Sequence, residues 1–247
     1  DEIRLFMDQA GELTGKPATL ETLNDSIRIM NEKRRALARL YECRKNENVP
    51  ISGRDALLIM QIAFFDDPER LTAQVNRVCD ELEQRIADGK SVAAKDAPRI
   101  LITGTPLAVP NWKIHNIIES SGAVVVCEEN CTGTRYFTHE VAEDNKSVEE
   151  AIDALTDRYL GNINCACFTP NPGRADDIVR LAKEYDVDGV IDLNLKFCNL
   201  YDTEGYLVER RLSDEGIPVL GLETDYTDSD AEQLRTRVEA FLEMIAD

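Results

Sequence analysis

The sequence contains no long apolar run. Stretches such as Ala123 to Cys127 are far too short to span a bilayer. Its start shows no basic segment leading into an apolar one, so neither a membrane span nor a secretory leader is expected, and a soluble cytoplasmic protein is. Basic residues are few beside acidic ones, 28 Lys and Arg against 47 Asp and Glu for a net charge of −19. No basic stripe is left to neutralise a phosphate backbone, which argues against nucleic acid as a partner; the surplus acid serves solubility. Histidine occurs twice, without ligand spacing. There is no GxSxG elbow, P-loop, full GxGxxG or CxxC, so serine hydrolase, nucleotide hydrolase, dinucleotide dehydrogenase and dithiol redox readings lack their main supports.

The 247 residues, 43% of them hydrophobic, suffice for one sizeable α/β domain with a smaller companion. The chain begins at Asp1 and runs at once into helical pattern, as a fragment or processed product would. From Thr19, a plausible N-cap, Leu20, Leu23, Ile27, Met30, Leu37 and Leu40 mark one face of a long helix. Pro50 and Gly53 interrupt it, and Ser52 with Asp55 resembles a capping box for a helix reaching about Phe64. A third helix follows Pro68, with Leu71, Val75, Val78, Leu82 and Ile86 on one stripe. Residues 1–88 thus form a helical region, 89–98 have the composition of a linker, and 99–247 read as a Rossmann-like α/β domain.

In that domain five short β-branched runs are expected as strands: Ile100 to Thr103, Ala123 to Cys127, Ile163 to Phe168, Gly189 to Leu193 and Val219 to Leu222. Helices are expected from near Pro110, Ser147, Pro172, Tyr201 and Ser229, with Asn171 as N-cap of the third. The alternation predicts a five-stranded parallel doubly wound sheet of flavodoxin-like order.

Ligands of such sheets bind beyond the carboxyl ends of the strands. Three successive strands each deliver a cysteine there: Cys131 in the loop after the second, Cys167 at the end of the third and Cys198 in the loop after the fourth. Seven cysteines without a secretory signal read as free thiols serving metal, catalysis or burial. Cys43 and Cys79, on helices, read as packing residues, Cys165 and Cys127 stay open, and Cys131, Cys167 and Cys198 are candidate soft metal ligands. Cys165 and Cys167 would sit on one side of a strand, roughly 7 Å apart. Arg135 and Lys196 are the cations on these loops and candidates for holding a substrate carboxylate or phosphate; Arg135 has Glu128 and Glu129 as alternative partners.

The runs Glu128 to Phe137 (EENCTGTRYF), Cys165 to Arg174 (CACFTPNPGR) and Asp188 to Asp192 leading to Lys196-Phe197-Cys198, with Asn31 to Arg35 and Pro50 to Gly53, resemble the 2-hydroxyacyl-CoA dehydratase and benzoyl-CoA reductase family. The second run is most similar to its double-cubane cluster branch. The resemblance implies an oxygen-sensitive iron–sulfur protein holding a [8Fe-9S] double-cubane or a [4Fe-4S] cluster between two Rossmann-like domains. It implies an ATP-hydrolysing [4Fe-4S] activator as partner, a homodimer or a related second subunit, and a small-molecule or acyl-CoA substrate. It makes Cys198 the last cluster cysteine and Cys131 and Cys167 further candidates, with Cys127 in reserve. Set against the family, this stretch is expected to lack the N-terminal cluster-binding domain and to be inactive alone. The leading expectation is low-potential electron transfer to a small substrate. A radical 2-hydroxyacyl-CoA dehydratase subunit and a non-catalytic zinc- or thiol-rich interaction domain are the alternatives.

Overall fold

A computed structural model describes residues 1–168 and 170–246; Thr169, within one of the motif runs, and Asp247 lie outside the described residues. Four helices come first: α1 (Glu2–Thr14), α2 (Leu20–Cys43), α3 (Gly53–Ile62) and α4 (Pro68–Ala87). Thr19 caps α2 by accepting from the Thr22 N–H at 3.2 Å, and Ser52 caps α3 by accepting from Asp55 at 3.0 Å. The α/β part then runs β1 (Arg99–Gly104), α5 (Lys113–Ser120), β2 (Val124–Glu129), α6 (Thr134–Phe137), α7 (Val148–Thr156), a π-helical turn (Asp157–Gly161), α8 (Pro172–Glu184), β3 (Gly189–Leu195), α9 (Asn199–Asp214), β4 (Val219–Thr224) and α10 (Ala231–Ala246). Among the described residues no helix is long and apolar enough to cross a membrane.

The sheet is parallel, but it has four strands in the order β2-β1-β3-β4, not the five expected. Ile163 to Phe168 is not a strand. The central β1 pairs with β2 on one edge and directly with β3 on the other, in the place the fifth strand would take. It forms a turn in which the Phe168 N–H donates to the Cys165 carbonyl at 2.9 Å, and Cys167 and Phe168 are exposed. Short apolar runs of this kind satisfy the strand pattern without supplying a partner edge.

Helices cover both faces. Leu101, Val124, Val126 and Val190 pack with α8, α9 and, continuously, with α2 and α4. Ile100, Ile102, Val125, Ile191, Leu193 and Leu222 pack with α5, α10 and Leu57 of α3. Gly53 opens α3 against β2 so closely that a Cβ there would stand 2.5 Å from the Val125 Cβ.

One irregularity decides what the carboxyl end of β2 presents. Ile100 pairs with Val125 and Leu101 with Cys127, so one residue is inserted at Val126, and the alternation of faces is reversed beyond it. Glu128 therefore points to the α5 face, and Glu129 to the α8/α9 face. Fully buried Glu128 accepts from Tyr41 Oη at 2.6 Å and from Arg44 Nη1 and Nη2 at 2.7 and 2.9 Å, with His115 Nε2 at 2.9 Å. Burial alone would push this carboxyl up, but Arg44 and His115 outweigh it and hold it down to about 2. Removing one partner of a buried pair strands the other charge. Arg44→Met is therefore expected to cost about 3–5 kcal/mol in urea denaturation, with much of that recovered when Glu128→Gln is added. Strictly additive losses would contradict the pairing.

Candidate cysteine site

The carboxyl ends of the strands carry the site. The loop after β2, the turn before α8 and the residue capping α9 deliver Cys131, Cys167 and Cys198 respectively. Cys131 and Cys198 are partly buried and Cys167 is exposed. Cys165, which the sequence leaves open, belongs with them: it packs with Ala166, Tyr201 and Cys198. Cys167 has its thiol pushed up by a hydrogen bond to Cys165, by the charge of Cys165, by burial, and by the nearby Cys131 and Cys198. Four of the seven cysteines thus gather on one rim. The others lie elsewhere: Cys43 and Cys79 are buried in the apolar core that joins α2 and α4 to the sheet. Cys127 is fully buried within β2, where burial and the Glu128 charge hold it as the thiol.

One guanidinium organises the rim. Arg135 Nη1 donates to Cys131 Sγ at 3.7 Å and to Tyr201 Oη at 2.8 Å, while Nη2 donates to Glu129 Oε1 at 2.5 Å. A guanidinium only donates, so the Tyr201 hydroxyl keeps its own proton free to give to Cys165 Sγ, 3.6 Å away. Burial pushes the Cys165 thiol up, but the Cys167 backbone N–H, the Tyr201 hydroxyl and the Arg135 charge together bring it below its ordinary value. Burial also opposes the charge on Arg135, yet Glu129 and Tyr201 hold it firmly protonated.

Beneath this lies a second arginine. Arg174 is 1% exposed and donates to Glu204 Oε2 at 2.5 Å and to Thr103 Oγ1 at 2.8 Å, with its Nε 3.5 Å from Glu129. Asn171 occupies the N-cap position of α8, but its side chain makes no capping bond; its amide donates to Glu204 at 3.1 Å instead. Phe197, just before Cys198, has φ 69° and is 95% exposed, so the α9 start is held in a backbone conformation that non-glycine residues seldom adopt.

Of the two cations expected at substrate, Arg135 is buried against Glu129 and faces the sulfurs rather than open solvent. Lys196 pairs with Asp225 at 2.8 Å on the β4 side. His115 serves Glu128, and His139 contributes its carbonyl to Arg158. The sequence pattern alone did not single out Tyr201, Arg174 or Asp192. The Glu128-Glu129 doublet closing an otherwise apolar strand was the available signal, since two buried acids require buried cations. Among the described residues, no three His, Cys, Asp or Glu side chains stand in a metal-coordinating arrangement.

A family model described as 2-hydroxyglutaryl-CoA dehydratase, D-component, matches residues 1–245. YjiM of Escherichia coli strain K12, a protein given the provisional name of a dehydratase subunit, is 36% identical over 236 residues, 95% of this chain and 60% of YjiM. The (R)-phenyllactyl-CoA dehydratase beta subunit of Clostridium sporogenes is 22% identical over 99% of this chain and 62% of its own length. One of the subunits of benzoyl-CoA reductase from Thauera aromatica is 25% identical over 67% of this chain and 39% of its own length. The chain thus spans less than two thirds of the length of these relatives.

Tyr201→Phe removes the hydroxyl that faces Cys165 but keeps the ring. The Cys165 thiol should titrate higher, lowering its alkylation rate at neutral pH by about threefold to tenfold, read by peptide mass spectrometry across a pH series. An unchanged profile would contradict the Arg135–Tyr201–Cys165 chain.

Proposed function

Because the chain belongs to the 2-hydroxyglutaryl-CoA dehydratase D-component family, we propose that it is part of an oxygen-sensitive iron–sulfur reductase, in which electrons from an ATP-hydrolysing [4Fe-4S] activator reach a small substrate. The observation that carries this reading is the rim itself: Cys131, Cys165, Cys167 and Cys198 converge around Arg135 and Tyr201. The donor set fits an iron–sulfur cluster in kind, soft sulfur surrounded by N–H and O–H donors, although among the described residues it forms no closed coordination group. Cys198, Cys131 and Cys167 would hold the metal, and further ligands would come from outside the described residues or from a second subunit, identical or related. When bound, such a cluster supplies a low-potential electron.

The chain's own residues set the conditions. Arg135 places a fixed positive charge beside the Cys131 sulfur, and the Tyr201 hydroxyl with the Arg135 charge favours the deprotonated form of Cys165. Glu129 holds Arg135 in place from the sheet, and Arg174 fixes Glu129 and Glu204 from α8. Arg135 is committed to the sulfurs, and Lys196, partly exposed, is the cation left for a substrate carboxylate or phosphate. A second reading, a radical 2-hydroxyacyl-CoA dehydratase subunit, is favoured by the names of relatives such as the (R)-phenyllactyl-CoA dehydratase beta subunit. Cluster content separates the two, since a double-cubane [8Fe-9S] cluster carries more iron and sulfide than a single [4Fe-4S] cluster.

Anaerobic reconstitution of the full-length protein with iron and sulfide tests the proposal. Iron and acid-labile sulfide should bind together, Cys198→Ala should remove most of the iron, and Cys43→Ala should leave it intact. Zinc without sulfide, or equal iron in both variants, would overturn it.

A further inference from the structure

Asp192 lies at the middle of β3 and is 4% exposed. Its register partners are Thr103 and Gly221, so it extends the Glu129–Thr103 row across the α8/α9 face of the sheet. The backbone is shaped around it. A Cβ on Gly205 of α9 would stand 2.7 Å from Asp192 Oδ2, so the carboxyl group fills the space a side chain there would need; Gly104 also lies beside Oδ1, although a Cβ on it would meet the Leu193 carbonyl first. Yet Oδ1 has no hydrogen-bond partner, and Oδ2 has only the Asn194 amide at 3.5 Å. A cavity of about 290 Å³ between β3, β4 and α9 opens on Asp192 and Asn194.

The charged groups around Asp192 leave it without a counterion. Arg174 of α8 is engaged by Glu204 and Glu129, and Arg237 of α10 donates to the Gly221 carbonyl at 2.8 Å. Glu129 of β2 and Glu204 of α9 face it with like charge; Asp202 and Glu209 of α9 and Glu223 of β4 line the cavity beyond. Arg135 and Arg174 are balanced by Glu129 and Glu204, and an ionised Asp192 would be a surplus buried anion. A proton is what completes this set.

We propose that Asp192 is a positioning residue for the cysteine rim whose proton seats α9: protonated, it lets α9 close on β3 through Gly205, and when the proton passes to solvent through the cavity, α9 loosens, carrying Tyr201 and the Cys198 end with it. Burial is the main cause that raises this carboxyl from 3.8 to about 6, Arg174 and Asn194 pulling down and Glu129 and Glu204 pushing up. The sign follows. The group binds its proton more tightly when α9 is seated, so the seating is fully favoured below 3.8, weakens as pH rises to about 6, and is level above that. The consequence for iron rests on the iron–sulfur reading; the seating of α9 does not.

Hydrogen–deuterium exchange on the full-length protein, purified anaerobically, tests this. After correction for intrinsic rates, the opening of amides 199–214 should rise on the order of tenfold to hundredfold between about pH 4 and 6 and then level off. Asp192→Asn should abolish the rise, whereas Cys198→Ala should keep it. A flat profile in the folded wild-type protein would overturn the proposal whether or not any variant folds, and so would a rise that survives in Asp192→Asn. Loss of iron binding with the profile retained would count against the iron–sulfur reading alone.

Discussion

Two neighbouring carboxylates, Glu128 and Glu129, end a strand whose every residue is buried, and each must find a cation where water is excluded. An ion taken from water into a protein interior loses several kcal/mol of hydration, recovered only through good geometry with opposite charge. Neighbours on a strand face opposite ways, and the one-residue insertion at Val126 decides which acid takes which face. Glu128 meets Arg44, which ties the α2 helix to the sheet. Glu129 meets Arg135 and Arg174, which build the floor under the cysteines. Without that reversal of faces the acids would exchange environments, and neither the helical region nor the rim would have its anchor.

Much of the fold was legible because it rests on local chemistry. The α2 and α3 starts at Thr19 and Ser52, and the α8 start at Pro172, obey capping and proline rules that act within a few residues. Strands β1, β2, β3 and β4 were readable as apolar runs separated by helices. Ile163 to Phe168 carries the same local pattern, but β1 pairs directly with β3 where that strand would lie, and which runs pair is not written in a local pattern. The inserted residue in β2 was invisible for the same reason, since register is a property of two strands.

At the site, the loops that follow the strands could be located from the sequence, and the structure brings Cys131, Cys167 and Cys198 to one rim with Arg135 and Cys165. What stayed hidden is the supporting set. Tyr201 reads as the start of an expected helix, Arg174 as an ordinary first-turn residue of α8, and Asp192 as a polar interruption in a strand; only their convergence from three elements gives them roles. Arg135 was recognised as a cation on the right loop, but its commitment to Glu129 and to sulfur follows from burial, which the sequence does not state.

The role of the rim turns on where iron binds. Anomalous diffraction at the iron edge, from crystals of the full-length protein grown without oxygen, locates it directly. The geometry of the rim predicts an iron peak beside the loops bearing Cys131, Cys167 and Cys198, within reach of Arg135 and Tyr201. Iron bound elsewhere, or a rim of ordered cysteines with no iron density in protein that carries iron, would contradict it.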